Sequence, residues 1–503
     1  MKFIDADVSV VGLGKLGASM AAAMAVQGLH VIGVDTCGQT VDAVNRGRAP
    51  VRETGLDEAM AGCGDRLRAT MDMAEAVLHS GVTFVVVPTP SDERGAFSLD
   101  FAAACFEAMG KALKGKEGYH AIALTSTVLP GSTRHGLLPV LERASGRKCG
   151  RDFGLCYNPA FVALGSVIRD FLAPDFHLIG QFDERSGDAV AAILRRVGSN
   201  LAPMRRTTLE NAELAKIAVN GFITLKISFG NLLAELCQGV PGGDVDAVSE
   251  IVGADGRIGR RCLTGGLGFG GPCFPRDNAA LAFLGRQVGA DTGVLAANDA
   301  GNRARGRRLL ASLAGRIPAS GKAAVLGLAY KPQTHVTEDS AGLALCMTLR
   351  DAGYIVAGYD PLAGEEASKI LGKSAVAPSL GACVADADLV VVATPDPAFA
   401  ALRAEMLGGV DGRACVVDCW RILNRSVQTA GNVDYVPAGR CIDPVAAESR
   451  IATLWIPERR PEAGVAPAGP DVLHQDAVVP ERDPGTRPDS RPSGLPGTHG
   501  PQG

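Results

Sequence analysis

The sequence predicts an α/β protein with two Rossmann-like units on either side of an all-helical middle, followed by a disordered tail. Three observations carry this. A short strand, a glycine turn and a small-residue helix open the chain and lead to a second strand ending at an acid, the pattern of a βαβ unit. A long stretch of helical period fills the centre. From Gly321 the alternation of strands and helices starts again.

The first unit begins with a strand from Val8 to Val11, then Gly12-Leu13-Gly14-Lys15-Leu16-Gly17, a helix from Ala18 to Gln27, and a second strand from His30 to Val34 that ends at Asp35. The spacing suits a dinucleotide. Gly12 permits the tight turn, Gly14 lets a pyrophosphate approach the backbone beside Leu13, and Gly17 lets the helix pack closely. The helix N-terminus faces the phosphates. Asp35 is placed to accept hydrogen bonds from the adenosine ribose, and an acid there disfavours a 2′-phosphate, so the expected cofactor is NAD rather than NADP. Strands from Thr83 to Val87, Ala121 to Leu124 and His177 to Gly180 continue the sheet. Pro88 and Thr89 follow the first of these, and Ser126-Thr127 the second, at the crevice side of an open α/β sheet, where Pro88, Thr89 and Thr127 are expected to line the cofactor.

From Glu210 to Cys237 the period is helical. Leu214, Ile217, Ala218, Gly221, Leu225 and Ser228 form one small-residue face, and the length suggests a spine between domains or subunits. Glu213, Lys216 and Asn220 share a face of this helix within largely apolar surroundings, where unpaired polar groups are costly. The second α/β unit has strands from Lys322 to Leu326, Tyr354 to Tyr359, Asp388 to Ala393 and Cys415 to Asp418, with a helix from about Ser340. A crevice between the two units is the expected substrate site. Residues 457–503 hold 10 of the 29 prolines, no aromatic residue and almost no apolar period, which reads as disorder.

Composition narrows the class further. A net charge of -4 gives no reason to expect nucleic acid as a partner. The first residues lack a basic segment followed by an apolar core, so secretion is not expected, and no uninterrupted apolar run reaches the ~18 to 20 residues that span a bilayer. No membrane partner is therefore expected. The 13 cysteines lack the paired spacing of a metal site, so no metal is expected, and a reduced cytoplasmic protein is the simplest account.

The densest signal is the run from Gly265 to Asp277. Five glycines lie in the eight residues before Pro272, and Cys273 stands just beyond with Arg276 and Asp277 beside it. A thiol so placed is either a nucleophile or a buried cysteine next to a flexible loop.

Taken in order, Gly12-x-Gly14-x-x-Gly17, Val87-Pro88-Thr89-Pro90, Ser126-Thr127-Val128-x-Pro130-Gly131, Asn158-Pro159-x-Phe161 and Asn211-Ala212-Glu213-Leu214-Ala215-Lys216-x-x-x-Asn220 resemble the motifs of the UDP-glucose/GDP-mannose dehydrogenase family. Arg257-Ile258-Gly259, the run from Gly268 to Asp277, and Gly327-Leu328-Ala329-Tyr330-Lys331-Pro332-x-Thr334 extend the resemblance over roughly residues 7 to 455.

The resemblance implies an NAD-binding domain over 1–204, a central helical dimerisation domain over 205–304 and a sugar-nucleotide-binding domain over 315–456, with the tail from 457 to 503. It implies oxidation of a sugar nucleotide's C6 alcohol to a carboxylate with two NAD+, UDP-glucose being the default, in a homodimer or dimer-based oligomer. Cys273 is implied as the nucleophile that passes through a thiohemiacetal to a thioester. Lys216 stabilises charge on the former C6 oxygen, Asn220 helps hold that oxygen or the water, and Asp277 organises water and Lys216. Thr127 positions water or substrate. Substrate contacts are implied for Phe161, Lys216, Asn220, Phe269, Gly270, Gly271 and Lys331, with backbone donors from the Gly266 to Gly271 loop, and for Arg257 reaching into a neighbouring subunit's site.

The chain departs from the family pattern at several points. Ala160 stands where the family commonly has a glutamate used as a general acid/base, and Leu164 replaces an acid. Glu338, within Val336-Thr337-Glu338-Asp339-Ser340, stands where an arginine is usual. Asp418-Cys419-Trp420-Arg421 replaces Asp-Gly-Arg-Asn, leaving Arg421 as the cation one position along. Two further readings follow from Ala160: a binding homologue without turnover, and an enzyme stalled at its thioester or aldehyde.

Overall fold

The computed structural model describes residues 6–409 and 412–455. The expected disordered tail, 457–503, lies outside the described residues. Eight strands form the first sheet: β1 (Ala6–Val11), β2 (Val31–Val34), β3 (Leu67–Thr70), β4 (Ser80–Val85), β5 (Ala121–Leu124), β6 (Gly154–Tyr157), β7 (His177–Gln181) and β8 (Met204–Thr207). Their order is β3-β2-β1-β4-β5-β6-β7-β8, with β6 and β7 antiparallel and the other pairs parallel. The order reverses between β1 and β4, so the crevice that receives a ligand opens at the carboxyl ends of those two strands.

The second sheet has β9 (Lys322–Leu326), β10 (Ile355–Tyr359), β11 (Leu389–Val392), β12 (Ala414–Asp418) and β13 (Val433–Pro437), all parallel, in the order β10-β9-β11-β12-β13. Its switch point lies between β9 and β11. Both interiors are built from Val, Ile, Leu and Ala, as sheets covered on both faces require.

The two units repeat the same turn chemistry. Gly12 has φ +90°, and a Cβ there would lie 2.1 Å from the Val86 carbonyl oxygen; one on Gly17 would lie 1.8 Å from that of Gly12. In the second unit Gly327 has φ +106°, and a Cβ on Gly342 would lie 2.0 Å from the Gly327 carbonyl oxygen. Neither site admits a side chain, so each glycine locks a strand end onto the following helix.

Four strands escaped the sequence reading, three of them for a common reason. β3, β8 and β13 lie at sheet edges, where polar residues intrude: Leu-Arg-Ala-Thr, Met-Arg-Arg-Thr and Val-Asp-Tyr-Val-Pro. β6, Gly-Leu-Cys-Tyr, is interior but only four residues long.

Under the first sheet lies His120, fully buried. Its Nδ1 lies 2.9 Å from the Ser80 carbonyl, which can only accept, so Nδ1 carries the proton and Nε2 accepts from the Thr83 hydroxyl at 2.8 Å. Burial pushes its pKa down from 6.5 to about 3, helped by Lys116. The unfolded chain therefore binds this proton first as pH falls. The stabilisation is complete above about 6.5 and declines toward about 3, at ~1.4 kcal/mol per pH unit. Urea denaturation of wild type and His120→Gln at pH 7 and pH 5 should show a shallower pH dependence in the variant by that amount. Equal slopes would contradict it.

Between the sheets, the spine helix Leu209–Gln238 packs against the helices Val245–Ala254, Phe274–Val288 and Gly293–Ser312. In length and hydropathy it would suffice to cross a bilayer, which a search for uninterrupted apolar runs misses. Glu213, Lys216, Asn220 and Asn231 along it are nonetheless engaged within the protein, as the site shows.

Candidate active site

The dinucleotide turn fits NAD. Gly14 caps the helix Lys15–Val26 without a side-chain partner, no acid lies in that helix's first turn, and nothing stands within 4 Å of where a Gly14 Cβ would project. Free N–H groups at a helix N-terminus, with open space before them, form an anion site. The Leu13 amide donates to Asp35 Oδ2 at 2.8 Å and the Cys37 amide to Oδ1 at 2.9 Å, which fixes the carboxylate at the end of β2. Past β4 and β5, the Thr89 hydroxyl donates to the Thr127 carbonyl at 2.7 Å, and Ser126 Oγ both accepts from the Val87 amide and donates to its carbonyl. Pro88, Thr89 and Thr127 thus belong to one knitted rim beside the glycine turn.

The spine helix brings the next groups in. Glu213, Lys216 and Asn220 share a face, but each does something different. Glu213 is fully buried and accepts the Gly131 and Thr133 amides at 2.6 and 2.8 Å, anchoring the turn after Pro130. Lys216 donates to the Ala160 carbonyl at 2.8 Å, with its Nζ 4.7 Å from the centre of the Phe161 ring. Burial pulls its pKa below the usual lysine value, while Asp277 and Cys273 oppose the fall. Asn220 donates to Asp277 Oδ2 at 2.6 Å and so fixes that carboxylate.

Cys273 immediately precedes the helix Phe274–Val288, whose first turn carries Asp277. It keeps solvent access. The protein gathered round it nevertheless disfavours the thiolate and pushes the thiol's pKa up; Arg276 and Lys216 oppose the rise, and Asp277 and Glu338 add to it. Asp277 is 1% exposed, with Arg276 at 3.4 Å on its other oxygen. Thiol, cation and carboxylate therefore form one electrostatic cluster between the two α/β units.

The glycine loop narrows the expectation of backbone donors from Gly266 to Gly271. Its amides at Gly266, Phe269 and Gly271 are already committed, to Asn231 Oδ1 at 2.7 Å, Asn302 Oδ1 at 2.8 Å and the Glu338 carbonyl at 3.0 Å. A Cβ on Gly270 would lie 1.9 Å from the Asp339 carbonyl oxygen, and one on Gly271 2.4 Å from the Tyr330 ring. Phe269, Gly270 and Gly271 are buried, and the glycines are there because the second unit packs onto this loop. Arg421 brings a correction. Its side chain is 3% exposed, pairs with Asp246 at 2.8 and 2.9 Å, and donates to the carbonyls of Thr264, Gly265, Cys419 and Ala438. It clamps the loop to the second unit and offers nothing to a phosphate. Arg257 is exposed and, among the described residues, paired only with its neighbour Asp255 at 2.5 Å. Lys331 lies on the second unit with its ammonium 6.0 Å from the Tyr330 ring centre, its pKa lowered by burial and opposed by Asp170 and Glu53.

Comparison with known proteins decides what this arrangement belongs to. Three family descriptions match in order: the UDP-glucose/GDP-mannose dehydrogenase NAD binding domain over residues 6–198, the central domain over 210–304 and the UDP binding domain over 324–425. The chain belongs to the UDP-glucose/GDP-mannose dehydrogenase family. A UDP-glucose 6-dehydrogenase of Haloferax volcanii is 37% identical over 83% of this chain and 97% of its own length. A GDP-mannose 6-dehydrogenase of Azotobacter vinelandii is 31% identical over 80% and 94%. A UDP-glucose dehydrogenase structure from Pyrobaculum islandicum superposes with a TM-score of 0.76 at 31% identity, covering 87% of this chain and 98% of that one.

As a nucleotide-sugar 6-dehydrogenase using NAD, the enzyme has supports that sequence reading passed over. Asn231, Asn302 and Arg305 hold the glycine loop from two helices, Arg305 donating to the Gly266 carbonyl at 2.9 Å while paired with Glu235. They look like ordinary helix-face residues in a sequence. In the UDP binding domain Asp360 Oδ2 accepts the Leu328 and Ala329 amides at 2.8 and 2.9 Å, the counterpart of Asp35. The signal was available: an acid ends the second strand of each unit.

Proposed function

We propose that this dehydrogenase oxidises the C6 alcohol of UDP-glucose to the carboxylate in two steps, through a thioester on Cys273. The convergence of Cys273, Lys216 and Asp277 at one point between two nucleotide-binding units carries the reading. NAD supplies the hydride acceptor for both oxidations. Lys216 has three N–H groups and gives one to Ala160, leaving two for the substrate's C6 oxygen. Cys273 attacks the aldehyde carbon, and Arg276 and Lys216 favour its thiolate. Asn220 and Arg276 hold Asp277 so that its charge supports the Lys216 ammonium. Thr127, whose carbonyl accepts from Thr89 at the rim beside the glycine turn, positions water or substrate. UDP-glucose is preferred because the Haloferax and Pyrobaculum relatives are named for it. The test is NADH release across UDP- and GDP-hexoses. Two NADH per UDP-glucose are expected, and none from any of them would sink the reading.

One observation favours a second reading. Ala160 carries no proton-moving group, so the protein is alternatively a binding homologue. Tight binding of NAD and UDP-glucose without NADH, unrepaired by Ala160→Glu, would establish it.

The enzyme is further proposed to work in the cytoplasm, where its 13 free cysteines stay reduced, and as a homodimer. Phe222, Phe229, Leu232 and Leu236 form an exposed apolar stripe on the spine helix, and the exposed Arg257, paired within this chain with Asp255, is proposed to exchange that partner for a neighbour's site. Arg257→Ala and Cys273→Ala variants, each inactive alone, should regain activity when co-refolded, because a mixed dimer contains one complete site. No recovery would exclude a shared site.

A further inference from the structure

Hydrolysis of an acyl-Cys273 thioester needs a base that takes a proton from water. Segment Asn158–Phe161 offers only the Ala160 carbonyl, already held by Lys216. Four charged groups bear on the Cys273 thiol: Arg276, Asp277, Lys216 and Glu338. Arg276 and Lys216 are cations. Asp277 is buried, with Asn220 on one oxygen and Arg276 on the other. Glu338 differs in every respect. It is exposed, and its carboxylate has no hydrogen-bond or ion-pair partner among the described residues.

Backbone geometry fixes its place. The Gly271 amide, two residues before Cys273, donates to the Glu338 carbonyl at 3.0 Å. The next carbonyl, that of Asp339, lies against Gly270, where no Cβ could fit. Asp339 turns the chain with φ +47°, and Ser340 then caps the helix Ala341–Asp351 by accepting the Leu343 amide at 3.3 Å. The turn that carries Glu338 is therefore held on both sides against the nucleophile loop.

We propose that Glu338, supplied by the second α/β unit, is the base that activates water to hydrolyse the acyl-Cys273 thioester. The proposal rests on the thioester reading above. Water attacks the acyl carbon while Glu338 accepts one of its protons. The tetrahedral adduct collapses with cleavage of the carbon–sulfur bond, whose electron pair leaves on the Cys273 sulfur. The proton passes from Glu338 to that sulfur or to solvent, and the products are the carboxylate and free Cys273. No electrons are exchanged with any other group.

The experiment compares wild type, Glu338→Gln, Glu338→Gln/Ala160→Glu and Cys273→Ala with NAD and either UDP-glucose or GDP-mannose, by rapid-mixing NADH absorbance and intact-protein mass. Glu338→Gln is expected to release two NADH per site in a burst close to the wild-type rate. Its steady state should then fall ~10² to 10³-fold, with an acyl adduct accumulating on Cys273. Adding Ala160→Glu should restore at least about tenfold of the loss, since a carboxylate then returns from the other side of the site. A steady state within twofold of wild type, or burst and steady state lost together, would overturn the role of Glu338 and leave the thioester reading standing. A wild type with neither a burst nor a Cys273 adduct in any variant would overturn both.

Discussion

Replacing Cys273 by alanine is expected to reduce NADH release by about 10⁴-fold or more, because loss of a covalent nucleophile removes a whole reaction path rather than one contact. The structural cost should be small. Cys273 is solvent-accessible, and the one hydrogen bond it gives its helix, from the Asp277 amide to the Cys273 carbonyl at 2.8 Å, is made by backbone that alanine keeps. Binding of NAD and UDP-glucose should therefore survive, measured by calorimetry, while NADH at 340 nm disappears. Turnover within tenfold of wild type would remove the thiol from the chemistry and return Cys273 to the role of a cysteine beside a glycine loop.

The glycine loop marks where sequence reading reached its limit. Local turn chemistry is legible because its cause is local: Gly12 and Gly17 do in space what their spacing announces, since each meets groups within the same βαβ unit or just past the next strand. The spine helix is legible for the same reason, its period holding over thirty residues. Gly266 to Gly271 are glycines for a non-local reason. Tyr330, Asp339 and Trp420 come from the second unit to lie against them, and nothing in the loop's own sequence shows what will arrive. Arg421 illustrates the same limit from the other side. Its charge marked it as the replacement cation, yet the decisive fact is the distant Asp246 and a ring of carbonyls around its guanidinium. The chemistry-bearing residues Lys216, Asn220, Cys273 and Asp277 were each identifiable, while the division of labour among them was not. That Asn220 serves Asp277 depends on two helices 57 positions apart crossing at that point.

Lys216→Met is expected to lower kcat about 10² to 10³-fold, the usual cost of removing one donor aimed at a developing oxyanion. The pH dependence separates this role from a merely structural one. Burial lowers the Lys216 pKa from 10.5, so its ammonium is lost at lower pH than that of an ordinary lysine. The Cys273 thiol moves the opposite way, upward from 9.0, so the thiolate fraction still grows with pH where Lys216 begins to lose its proton. The two shifts bring the limbs together, and kcat/KM should rise with pH and then fall on an alkaline limb owned by Lys216. Lys216→Arg keeps the charge at every accessible pH, so its rate, although reduced by the bulkier guanidinium, should lose the alkaline limb. Asp277→Asn should move that limb to lower pH, because the carboxylate is the strongest influence holding the ammonium charged against its burial. A Lys216→Arg profile that keeps the wild-type alkaline limb would assign that limb to another group and leave Lys216 as a support for the Ala160 carbonyl.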